Sequence, residues 1–139
     1  MILPLLPSCS GDAPDTHPAS SLPSAVSLLA SPSSPPLHRA FLIGGAQLYS
    51  HALATPHPSY SVDRVLLTRL ATDVPCDTFV PELGAVVGGG GGWRRAPHAE
   101  LSEWAGFAVA EGEQVEEDRT GKGEVRYEFE MWVRGEEKL

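Results

Sequence analysis

Residues 41–49 read Phe41-Leu42-Ile43-Gly44-Gly45-Ala46-Gln47-Leu48-Tyr49. A short apolar run meets two glycines and then a helix-forming stretch. This predicts a buried strand over 40–44, a tight turn and a short helix over 46–53, ended by Pro56 and Pro58. Glycines in such a turn let the backbone bend sharply and let a ligand come close. The first N–H groups of a helix have no partner within it, so its start favours an anion. By spacing alone, Gly44-Gly45 is only a fragment of a phosphate-site motif.

Further along the chain the strand signals strengthen. Val62 to Leu70 is mostly apolar and rich in branched residues. Val125 to Arg134 alternates, with Val125, Tyr127, Phe129, Met131 and Val133 on one face and mainly charged residues on the other. Between them, Gly84 to Gly92 reads as a flexible loop, because five consecutive glycines at 88–92 have no side chains to pack. Residues 111–118 carry five acids and read as a solvated loop. Upstream, residues 1–39 hold eight of the thirteen prolines, so most of that stretch cannot form element interiors. One island differs: Ser21 to Leu29 has a capping serine, proline in the first turn and apolar residues at helical spacing. Strands and helices together make an α/β fold.

Composition narrows the function classes. A chain of 139 residues with 42% hydrophobic content suits one small domain. It has no apolar run of membrane-spanning length. Met1 to Pro7 lacks a basic start and is interrupted by two prolines, so a secretory leader is not expected. Cys9 and Cys76 are too few for a disulfide framework and have no metal-ligand partners at suitable spacing, so no metal is expected. A reducing compartment follows, the cytoplasm first and the mitochondrion second. A net charge of −8 argues against nucleic-acid binding, which needs clustered cations.

The string at 41–49 resembles the Ile-Gly-Gly-x-x-x-Tyr segment of dihydrofolate reductases, with wording nearest to fungal ones. Further segments match in order: Ser20-Ser21-Leu22 with Ala25, Asp63 to Arg69, Cys76-Asp77-Thr78-Phe79-Val80-Pro81, Trp93-Arg94 and Tyr127-Glu128-Phe129. The resemblance covers the family's C-terminal half. It implies a dihydrofolate reductase-like sheet with flanking helices, incomplete because the N-terminal strands and the helix bearing the catalytic acid have no counterpart. Residues 1–14 are then an irregular or unrelated segment, and residues 15–139 a partial domain. In the family the strand ending at the glycines and the strand holding Thr68 both flank a central strand that also lacks a counterpart.

The resemblance further implies an oxidoreductase that uses NADPH to reduce 7,8-dihydrofolate to tetrahydrofolate in one-carbon metabolism. It places Gly44 and Gly45, joined by a cis peptide, beneath the nicotinamide. Backbone N–H groups of Ala46, Gln47 and Leu48 face the pyrophosphate, Tyr49 the nicotinamide and substrate, and His51 the adenine. Ser20 and Ser21 lie near the adenosine 2′-phosphate, although Ser21 reads equally well as a helix cap. Ile43, Tyr49 and Thr68 line the substrate side. Asp77 resembles an acid that steadies a loop absent here, and reads equally as a turn residue. No catalytic residue is expected, since the family's acid lies in the missing half. Asp12 and Asp15 are the only upstream acids, and both sit among proline and glycine. The chain alone is therefore expected to be inactive. The other reading is a non-catalytic remnant that binds nucleotide weakly or meets a protein through exposed strand edges, with self-association as one outcome.

Overall fold

The alternation in the last long strand organises the molecule. The computed structural model describes residues 17–31, 38–54, 57–117 and 123–135. The chain divides into two compact units, Met1–Leu37 and His38–Leu139. The boundary expected at residues 14–15, and with it Asp12 and Asp15, lies outside the described residues.

In the first unit, helix α1 spans Leu22–Leu29. Ser21 caps it: its Oγ accepts from the Ser24 N–H (3.2 Å) while the Ser24 Oγ accepts from the Ser21 N–H (3.1 Å). Pro23 sits in the first turn, where its missing donor costs nothing.

The second unit runs α2 (Ala46–Ala54), β1 (Arg64–Leu70), α3 (Glu82–Val87), a short 3₁₀ turn (Gly90–Gly92), β2 (Trp93–Arg95), α4 (His98–Ala105), β3 (Gln114–Glu117) and β4 (Glu124–Arg134). All pairing is antiparallel. β4 takes β1 along one edge, and β2 and β3 along the other. The register sets Leu66 against Met131 and Val65 against Trp132, so one face of the sheet carries Leu66, Thr68, Phe129, Met131 and Val133. Ala96 and Leu101 close over that face, with Trp104 and Val109 beside them. The opposite face carries Val65, Leu67 and Trp132, packed with Trp93 and Val86, and with Leu53 of α2. Full burial of a large apolar side chain contributes about 1.5–3 kcal/mol, so Met131 and Val86, both almost wholly enclosed, anchor the two clusters. No helix among the described residues is long and apolar enough to cross a membrane.

Three expectations are corrected. Residues 40–44 are not a strand: none of the described strands pairs with them, and Phe41 and Ile43 are 61% and 91% exposed. An extended segment without a ladder neighbour cannot satisfy its backbone as a strand does. The stretch 84–92 is more ordered than a loop. Its first four residues end α3, and Val86 is buried against Trp93 and Trp132. The glycines that follow are tightly wound, since a Cβ at Gly90 would lie 3.2 Å from the Ala85 carbonyl oxygen. Residues 114–117 form β3 despite their acids, because β4 supplies cross-strand partners: the Tyr127 hydroxyl donates to Glu116 at 2.8 Å, and Arg126 donates to Glu113 at 3.1 Å. On the mainly charged second face of β4, Glu130 and Trp132 are both buried.

Glu130 is the one buried charged side chain among the described residues, 1% exposed. Arg69 of β1 donates to its two oxygens from Nε (2.6 Å) and Nη2 (3.1 Å), and the Trp132 indole N–H donates at 2.8 Å. The Arg69 guanidinium, helped by Trp132, holds the carboxyl below its usual range although burial opposes this. Bidentate geometry makes such a pair stronger than a single contact. Arg69 is 44% exposed, which reduces its net worth.

Because the folded-state pKa of Glu130 is depressed, its contribution is fully present above the unfolded carboxylate value of about 4.3 and is lost as pH falls through the folded value. Glu130→Gln is expected to cost on the order of 1–3 kcal/mol at neutral pH. Its melting temperature should also fall less steeply than the parent's between about pH 5 and 3. Thermal unfolding across that range is the measurement. An unchanged slope would refute the assignment.

Candidate functional site

The Gly44–Gly45 turn stands on side-chain contacts rather than on the sheet. Arg39 reaches Trp104 of α4 twice: its Nη1 donates to the Trp104 carbonyl oxygen at 2.7 Å, and its guanidinium lies 4.3 Å from the indole centroid. Phe41 meets the same indole edge-on at 5.9 Å. A cation over indole is worth about 0.5–1 kcal/mol at an exposed site. These contacts tether residues 39–41, and the turn follows three residues later. Sequence reading missed both Arg39 and Trp104, since only tertiary structure brings together residues 65 positions apart.

Gly44 has φ of +121°, a conformation that side chains rarely adopt, and its peptide with Gly45 is cis. A Cβ at Gly44 would lie 3.6 Å from the Tyr49 hydroxyl, so Tyr49 folds back over the turn. Gly45 differs: a Cβ there would meet nothing within 4 Å among the described residues beyond its chain neighbours. The Gly45 carbonyl accepts from Leu48 (2.9 Å) and Tyr49 (3.1 Å), which starts α2. The N–H of Leu48 is therefore already used, contrary to its expected role. Those of Ala46 and Gln47 take no backbone partner among the described residues. The first turn of α2 has no acidic side chain. Free N–H groups, a helix start and no nearby acid on the helix suit an anion.

The remaining candidates separate. Ile43, Gln47 and His51 are exposed. Thr68 lies on β1, in an apolar groove of about 320 Å³ whose lining includes Leu66, Trp104, Phe107, Phe129 and Glu130. Neither the glycines, Ile43 nor Tyr49 lines that groove. A second cavity of about 440 Å³ lies beside β4, near Arg95, His98 and Glu128, and holds none of the expected site residues. Ser20 and Ser21 belong to the first unit, and the Ser21 hydroxyl is engaged as the cap of α1. Asp77 is exposed and accepts from the Thr78 hydroxyl at 3.0 Å, a local turn contact.

No protein-family model matches the chain. Curated relatives do. The chain is 38% identical over 128 residues to a protein named dihydrofolate reductase from Pneumocystis carinii, covering 85% of this chain and 54% of that one. It is 38% identical over 130 residues to a dihydrofolate reductase from Cryptococcus neoformans, covering 81% and 54%. It is 33% identical over 99 residues to one from Schizosaccharomyces pombe, covering 71% and 20%. The chain spans about half the length of the first two relatives. Its relationship is to the dihydrofolate reductase family, and to fungal members of it.

The two glycines should respond differently to a methyl group. Gly44→Ala forces a side chain into a sparsely populated conformation, at a cost of about 1–3 kcal/mol. Gly45→Ala meets open space and should change stability by less than about 0.5 kcal/mol. Chemical denaturation of both variants measures the difference. Equal losses would contradict this placement of the two residues.

Proposed function

We propose that this relative of the dihydrofolate reductases carries the nicotinamide-nucleotide turn and part of the substrate wall of an enzyme that reduces 7,8-dihydrofolate with NADPH. The observation that carries the proposal is the open side of Gly45 beside the N–H groups of Ala46 and Gln47, which have no backbone partner among the described residues. The residues present suit a flat ring and a pyrophosphate: no side chain stands over Gly45, and the helix start offers donors to negative charge. When bound, the reduced nicotinamide supplies the hydride.

In this reading Gly44 and Gly45 give the ring room, and Ala46 and Gln47 hold the pyrophosphate. Tyr49, folded back over Gly44, limits how the ring can turn. His51 faces the adenine. The Ser21 hydroxyl is occupied as the cap of α1. Ile43 and Thr68 stand on the substrate side, Thr68 in its apolar groove.

The chain's own proton chemistry is weak in this proposal. The Glu130 carboxyl stands on the face of the sheet opposite Thr68, and Arg69 and Trp132 hold it ionised, which makes it a poor acid. Positioned general-acid help is typically worth about 10²–10⁴-fold. The 139-residue chain alone is therefore expected to turn over dihydrofolate below about 0.1 per second, against a median enzyme rate of about 10 per second.

Gly45→Val separates binding from folding. A Cβ there meets nothing within 4 Å, so unfolding should stay within about 0.5 kcal/mol of the parent. The valine occupies the space assigned to the nicotinamide, so NADPH affinity should fall at least about tenfold, equal to 1.4 kcal/mol. Fluorescence titration with NADPH, unfolding and dihydrofolate-dependent oxidation of NADPH form the test. Undiminished NADPH binding by a folded Gly45→Val variant, or turnover near the median rate by the chain alone, would overturn the proposal.

A further inference from the structure

The two strands on the second flank of β4 stop short of each other. The Arg134 N–H donates to the Asp63 carbonyl and the Ala71 N–H to the Arg126 carbonyl, so the even-numbered residues of β4 bond to β1. The odd-numbered ones direct their N–H and C=O groups to the flank that β2 and β3 share. There the register of β2 continues as far as Met131, whose carbonyl accepts from the Ala96 N–H at 2.8 Å. The register of β3 ends at Tyr127, opposite Gln114. Phe129 lies between, and no backbone bond among the described residues receives its N–H or C=O. The neighbouring segments of the chain themselves hold this gap open. Pro97 leads into α4 on one side, and Gly112, with φ of +72°, turns the chain on the other. The cavity of about 440 Å³ occupies the gap, with Leu101 and Met131 in its apolar lining. His98 lines it too, and its Nε2 is enclosed without a hydrogen-bond partner among the described residues. Three partnerless polar groups around one partly apolar cavity mark a ligand site.

We infer that this cavity takes a short extended peptide with a basic side chain, one residue of which completes the ladder at Phe129. An extended residue presents its N–H and C=O side by side on one edge, the complement of Phe129 in an antiparallel pair. Pro97 and Gly112 bound the gap, so one residue pairs and its neighbours leave the plane of the sheet. The His98 Nε2 is available to a neighbouring peptide group. Charge selects the side chain. Arg95 is matched by Glu128, and Glu130 by Arg69. Glu111 has one ion contact among the described residues, to the His98 Nδ1 at 3.9 Å, and its side chain is 78% exposed. An acid left over at the rim attracts a cation and repels the phosphates of a nucleotide. The inference is therefore independent of the nucleotide reading. Two hydrogen bonds and one exposed ion contact make a weak site, with a Kd of about 1 mM.

Amide chemical-shift mapping of the full labelled chain tests it, with three end-capped tripeptides as probes. The first is Ala-Lys-Ala, the second is the same peptide methylated on the lysine backbone nitrogen, and the third is Ala-Glu-Ala. The expected result with Ala-Lys-Ala is a saturable shift led by the Phe129 amide, with those of His98 and Gly112 following. Methylation removes the donor to the Phe129 carbonyl, so affinity should fall at least about tenfold. Ala-Glu-Ala should bind more weakly than Ala-Lys-Ala, and Glu111→Gln, a change at an exposed side chain, should erase that preference. The methylated probe needs no variant protein, so the test stands even where Glu111→Gln disturbs the fold. A Phe129 amide that does not move with Ala-Lys-Ala, as when the gap holds water alone, would overturn the inference. So would equal binding of the methylated peptide, or equal binding of the lysine and glutamate peptides by the parent chain.

Discussion

Every strand pairing in the described sheet passes through β4. β1 lies on one edge of it, β2 and β3 on the other, and the two core clusters sit on its two faces. The constraint is the two-residue period of a strand: Met131 and Val133 go to one side, Trp132 to the other. A slip of one residue would carry Met131 out of its cluster and put Glu130 there instead. The buried Glu130–Arg69 pair penalises that slip further, because a displaced carboxylate would lose both its arginine and its indole donor. Breaking one side of a buried pair costs more than the pair gains in water, so it acts on register more than on total stability.

The candidate nucleotide turn depends on this frame at one remove. Residues 39–41 hold to Trp104, Trp104 rides on α4, and Leu101 of α4 packs against Met131. On its other side, α2 puts Leu53 against the cluster of Val86, Trp93 and Trp132. The turn is thus suspended between elements that contact opposite faces of the same strand. Side-chain contacts fix it where a ladder of backbone bonds would hold a true strand.

Much of this was legible in the residues. β1 and β4 announced themselves through branched residues and alternation, and α2 through glycines before it and prolines after it. The family relationship was legible in the string around Gly44–Gly45, because identity of residues carries more than spacing. What stayed hidden had physical causes. α3 was masked by Gly84 and the glycines beyond it, although Val86 supplies the burial that keeps the helix. β3 was masked by acids whose partners, Tyr127 and Arg126, lie across the ladder. α4 was not singled out, and its role as the support of Arg39 and Phe41 depends on contacts no local pattern encodes. Residues 40–44 failed as a strand because composition reports a preference for extended backbone, while a strand also needs a neighbour. Glu130 looked like solvent-facing charge because its partner is 61 residues away.

The central claim is that an anionic nicotinamide nucleotide is received at the Gly45–Gln47 turn. Amide chemical-shift mapping of the labelled chain during NADPH titration tests it most directly. The account predicts saturable shifts led by the amides of Gly45, Ala46 and Gln47, with those of Gly112 and Gly123 unmoved. Saturable shifts centred instead on the cavity of Arg95, His98 and Glu128, with the turn unmoved, would contradict it.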